Sequence, residues 1–108
     1  MENQSPITFS FSLPVGLLDS QDRRHRDGEM RLATGQDEFY FHADSRSLEN
    51  PAYGTLILLS RVIVQLGELS PVTPEDLEEL FLCDWQYLQE VYNTINPPES
   101  AIFTTGEL

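Results

Sequence analysis

The sequence predicts a single α+β domain: an irregular N-terminal β-hairpin packed against a C-terminal helical region of about three helices. Three observations carry this. Residues 7–13, ITFSFSL, alternate apolar and polar side chains strictly. The stretch after Asn50-Pro51 is apolar around most of a helical circumference. Two later stretches, opening near Thr73-Pro74 and Cys83, repeat apolar residues at helical spacing.

The hairpin is expected over about 7–33. Ile7, Phe9, Phe11 and Leu13 point one way, and Thr8, Ser10 and Ser12 the other, as in a half-buried strand. Pro14 is expected to end that strand, and Gly16 permits a bulge or bend. Met30 and Leu32 are again apolar at alternate positions and mark the returning strand. Between them lies DSQDRRHRDG, which reads as a solvated, charge-balanced tip.

Residues 34–48 are open between helix and strand. Thr34 followed by Asp37 fits a helix N-cap, and Phe39, Tyr40 and Phe41 suit either element. Asn50-Pro51 is a start signal for a buried central helix over about 50–67, with Gly67 as its C-terminal cap. Thr73-Pro74-Glu75-Asp76 opens a helix over about 73–81, and a last helix runs over about 83–96 until Asn96-Pro97-Pro98 stops it. Residues 1–6 and 97–108 are expected to be flexible ends, with Ile102-Phe103 the apolar handle of the second.

The chain has 108 residues, with 18 Asp+Glu against 6 Lys+Arg, a net charge of −12. A chain of this size buries roughly 65% of its unfolded surface. All six basic residues are arginines at or before position 61, so every charged residue of 62–108 is acidic. That balance argues against general nucleic-acid binding and against docking on anionic membranes. It favours basic or amphipathic protein partners. The single cysteine, Cys83, excludes an intrachain disulfide and four-Cys zinc patterns, and suits a reducing compartment. No secretory signal is expected, and the longest apolar stretch, LILLSRVIV, is too short to span a bilayer.

The chemistry-bearing residues read as structural. His25 and His42 are the only histidines, 17 positions apart, and read as exposed polar residues without metal-ligand spacing. Cys83 reads as a small packing residue. The acidic pairs Asp37-Glu38, Glu75-Asp76 and Glu78-Glu79 read as caps and solvated faces, since glycosidase-like chemistry needs carboxylates facing each other across a cleft. No GxSxG, P-loop or GxGxxG occurs. Arg23, Arg24, Arg26 and Arg31 are matched within residues 19–31 by Asp19, Asp22, Asp27 and Glu29, whereas a phosphate-binding patch keeps its positive charge uncompensated. No catalytic residue, metal or cofactor is expected.

Two stretches together carry a resemblance. They are LPxG…HRDGEMRLAT-x-x-DE over 13–38 and NPAYGTLILLSRVIVQLGEL…VTPEDLEELFLCDWQYLQEVYNTIN over 50–96. In this order, in so short a chain, they resemble the small tail-assembly proteins of tailed phages and phage-like elements, many of them classed as tail assembly chaperones. The FYFHADSRSL segment over 39–48 departs from that pattern in being unusually aromatic for a connector.

The resemblance implies a non-enzymatic role in the bacterial host cytoplasm. It implies binding of the tape-measure protein or another tail component, which is kept soluble until the tube polymerises around it. The alternative is a structural tail or baseplate subunit that stays in the finished particle. A nucleic-acid-binding regulator using Arg23–Arg31 is a third reading. The expected contact residues are Phe39, Phe41, Leu77, Phe81, Trp85 and Tyr92, on the aromatic segment and the helix faces. The partner is expected to be a protein, with no nucleic acid and no membrane, and association into a homo-oligomer is left open.

Overall fold

The structure, a computed structural model, describes residues 7–97. Strand β1 (Thr8–Leu18) and β2 (Arg24–Arg31) form the hairpin; helices α1 (Gly35–Ala43), α2 (Ser45–Glu49) and α3 (Pro51–Val62) follow; β3 (Ile63–Leu66), α4 (Pro74–Leu77) and α5 (Leu82–Ile95) complete the chain. The sheet is antiparallel in the order β1-β2-β3. The architecture is α+β, as expected. The expectations for residues 1–6 and for 98–108, including Ile102-Phe103, lie outside the described residues.

The core face of the hairpin follows the alternation. Phe9 pairs with Met30 and Phe11 with Gly28, and Phe11, Leu13 and Met30 are buried. Pro14 does not end β1. The strand continues to Leu18 through an irregularity between Ser12 and Leu17, where Gly16 takes φ +110. Only glycine is comfortable there, and a Cβ would also meet the Arg26 and Arg24 side chains at 2.6 and 2.7 Å. His25 and Met30 are both buried although five positions apart, a spacing a regular strand would place on opposite faces.

Two expected helices are shorter than their patterns. The helix expected over 50–67 stops at Val62, and Ile63–Leu66 leaves it to form β3 on the open edge of β2. Val62, Ile63 and Val64 are β-branched, which favours extended backbone, and Ile63 and Leu66 still reach the core. Gly67 takes φ +59 in the turn after the strand and so caps no helix. The helix expected over 73–81 is one turn, Pro74–Leu77, and the last helix begins at Leu82. The ambiguous segment resolves into α1 and α2.

The core joins the hairpin face to α3, β3, α4 and α5 through Leu59, Val62, Leu66, Leu77 and Leu88, each 2% exposed or less. Fully burying one such side chain stabilises by about 1.5–3 kcal/mol. Four helices start on a side-chain N-cap: Thr34 for α1, Asp44 for α2, Asn50 for α3 and Thr73 for α4. The start of α5 departs from that rule, because Phe81 stands at its N-cap with no side-chain hydrogen bond.

Candidate functional site

The charged residues that drew attention in the sequence are mostly occupied inside the fold. Asp37 is fully buried and does more than cap α1. Its Oδ2 accepts from the Thr34 N–H at 2.8 Å and from Arg31 at 2.8 Å, and its Oδ1 accepts from Arg31 at 2.8 Å and from Arg61 at 2.9 Å. The Arg31 guanidinium holds the Asp37 carboxyl well below the usual carboxylate range, against the opposing effect of burial, with Thr34 and Arg61 helping. Arg61 also lies over the Tyr40 ring, 4.2 Å from its centre. Arg31 therefore belongs to this corner and not to the hairpin tip. Asn96 joins it: its Oδ1 accepts from the Ala33 N–H at 3.0 Å and ties the end of α5 to the start of α1. Arg31 and Arg61 thus meet on Asp37, and Asn96 holds the adjoining Ala33.

Asp84 is the second fully buried acid. It accepts from the Val15 and Gly16 N–H groups, both at 2.8 Å, and so satisfies the two donors that the β1 irregularity turns away from β2. Its neighbour Cys83 is exposed, contrary to the packing role expected of it.

The tip is also more structured than expected. His25 is 4% exposed, not a surface residue. Its Nδ1 accepts from the Glu68 N–H at 3.2 Å, which assigns the ring proton to Nε2, 2.9 Å from Asp19 Oδ2. Asp19 also accepts from the Arg23 and Gln21 N–H groups; the His25 hydrogen bond, then those from Arg23, keeps its carboxyl well below the usual range. Arg23 bridges Asp19 and Glu68, while Arg24 and Arg26 donate to the carbonyls of Val15 and Leu13. The arginines hold the hairpin, partly through carbonyls instead of the one-to-one carboxylate matching of the sequence reading. His42 is exposed beside Glu38, as expected. Among the described residues no group of three or more His, Cys, Asp and Glu could hold a metal ion. Nor is any described helix long and apolar enough to cross a membrane.

A surface groove lies where the capping rule breaks. An open groove of about 490 Å³ runs between α3, the α4–α5 link and the first turn of α5, lined by Ala52, Leu56, Leu77, Glu78, Leu80, Leu82 and Trp85. Leu82 is 68% exposed and the adjacent Phe81 47%. Glu78, the one charged lining residue, accepts a hydrogen bond from Tyr53 Oη at 2.9 Å.

The structure brings two of the six expected contact residues, Leu77 and Trp85, to this groove. Phe81, between Leu80 and Leu82 in the chain, is exposed but does not line the groove, and Trp85 is a partly buried wall. Leu77 lines the groove but is 2% exposed, so it is a floor and a core residue, not an exposed contact. Phe39 is exposed on α1, away from these lining residues. Phe41 is half-buried against α3, where a Cβ on Gly54 would run into its ring. Tyr92 is half-buried in a separate cleft with Leu58 and Leu59. Sequence reasoning missed Leu82, Leu56 and Leu80. In LEELFLCDW the apolar residues are nearly continuous, and periodicity alone does not tell core from surface there.

No protein-family model, no curated protein and no solved structure matches this chain.

Proposed function

We propose that this chain is a non-enzymatic tail-assembly protein of a phage or phage-like particle. It acts as a chaperone, holding the tape-measure protein or another tail component in the bacterial cytoplasm while the tube is built. The observation that carries this is the entry of α5. Phe81 occupies a position where Ser, Thr, Asp or Asn would stabilise the helix by about 1 kcal/mol, and it is followed by the exposed Leu82, which lines an open groove. Sequences break a local rule of this kind chiefly at functional sites. The motif resemblance over 13–38 and 50–96 supplies the biological setting.

Co-expression with the tape-measure product tests the reading. That product should partition to the soluble fraction with the native chain and to the pellet without it. Equal solubility in both cases would sink the chaperone role. Mass spectrometry of purified particles gives the second check: the chain should be missing from finished particles, and its presence there would replace the chaperone by a structural tail or baseplate subunit.

A further inference from the structure

Resting on that reading of the groove, we infer the chemistry of the segment it takes: an amphipathic α-helix with one apolar stripe and flanking Lys or Arg residues. The argument for a helix starts from the lining. All lining residues come from helices or the link between them, so the groove offers side chains and no sheet edge. A segment seated there must satisfy its own backbone hydrogen bonds, which an α-helix does and an extended strand does not. The apolar groups that meet it are Leu56, Leu80, Leu82 and Trp85, which call for a stripe at i, i+3, i+4 and i+7.

The argument for basic flanks is electrostatic. Glu78 is the only charged lining residue. Beside it stand the exposed Glu79 and Glu75, the latter paired with Arg46 of α2, while Asp84 is buried against β1. A cationic helix is drawn toward that field and an anionic one is repelled. The same field opposes a second copy of this chain, whose net charge is −12.

Trp85 is the only tryptophan and lines the groove, so its fluorescence reports occupancy directly. The probes are three tryptophan-free peptides of about 18 residues, five helical turns. One has a leucine stripe flanked by lysines, one has the same composition scrambled, and one has the stripe flanked by glutamates. The lysine-flanked stripe should shift Trp85 emission and bind roughly tenfold or more tighter than either control, weakening as salt rises. Leu82→Asp, with its helix content checked by circular dichroism, should lose roughly tenfold in affinity. Equal binding of the scrambled peptide, or unchanged binding by Leu82→Asp, overturns the groove as the site. Equal binding of the glutamate-flanked peptide overturns the basic partner. Peptide binding that survives while the co-expression test fails leaves the groove standing and removes the tail-assembly setting, so the two failures are told apart.

Discussion

Two helix entries in this molecule place a fully buried aspartate at the third helical position and use it in opposite ways. In α1 the N-cap is Thr34 and the third helical residue is Asp37; in α5 the N-cap is Phe81 and the third is Asp84. Both aspartates are fully buried. Asp37 turns back on its own cap and draws in Arg31 and Arg61, so that corner closes on itself. Asp84 leaves its helix start alone and reaches β1, and Phe81 and Leu82 stay exposed above it. A closed entry builds the frame; an entry whose polar group is spent elsewhere leaves apolar side chains exposed.

The largest effect is expected on the closed side. Asp37→Ala leaves two guanidinium groups without their buried carboxylate and removes the capping box. Breaking a buried ion pair by removing one partner costs about 3–5 kcal/mol, and urea unfolding at pH 7 should read a loss in that range. The pH dependence has a definite sign. A carboxyl held below its ordinary value contributes stability that is present above the unfolded value, near pH 4, and lost as pH falls through the depressed one. The native chain should therefore weaken steadily below about pH 4, and Asp37→Asn should lessen that acid limb, the remainder coming from Asp19. An unchanged limb would mean that the Arg31–Asp37–Arg61 network does not set it.

On the open side, Asp84→Asn is the milder counterpart. The amide keeps one acceptor oxygen, so either Val15 or Gly16 loses its partner. A buried donor left unsatisfied costs about 1–3 kcal/mol. Helix content should persist while hydrogen exchange at Val15 and Gly16 accelerates. If exchange there stays slow, the irregularity does not depend on Asp84. Gly54→Ala returns to the closed side and tests its packing, since the new methyl meets the Phe41 ring and the Ser47 hydroxyl. Overpacking of this kind costs about 1–3 kcal/mol, measured by thermal unfolding. A neutral result would mean that α1 and α3 can separate without loss.

Much of the frame was readable in the chain. The alternation of ITFSFSL gave β1, and Thr34, Asn50-Pro51, Thr73-Pro74 and Asn96-Pro97 marked helix ends that hold in three dimensions. The third strand was hidden because SRVIVQL fits a helical stripe as well as a strand, and only the free edge of β2 decides between them. Asp37 looked like an ordinary cap because its partner Arg61 lies 24 positions away and no local pattern links them. The groove was half legible. Leu77 and Trp85 have the right spacing, yet spacing cannot tell floor from lip, and Leu82 is concealed inside a continuous apolar run.

Phe81→Ser is expected to change stability least and to separate the two sides most cleanly. Serine at the N-cap adds a hydrogen bond worth about 1 kcal/mol. Against this, Phe81 is about half buried, 47% exposed, and full burial of such a side chain contributes about 1.5–3 kcal/mol. The two terms nearly cancel, so the urea midpoint should move little. Function should not be spared. Tape-measure solubility in co-expression, and Trp85 response to the lysine-flanked peptide, should both fall. The comparison with Asp37→Ala is then reversed in sign of importance: one variant weakens the fold through the closed entry, the other weakens only recognition through the open one. A stability loss above about 2 kcal/mol would place Phe81 within the range of core substitutions, and the open entry would then be part of the frame after all.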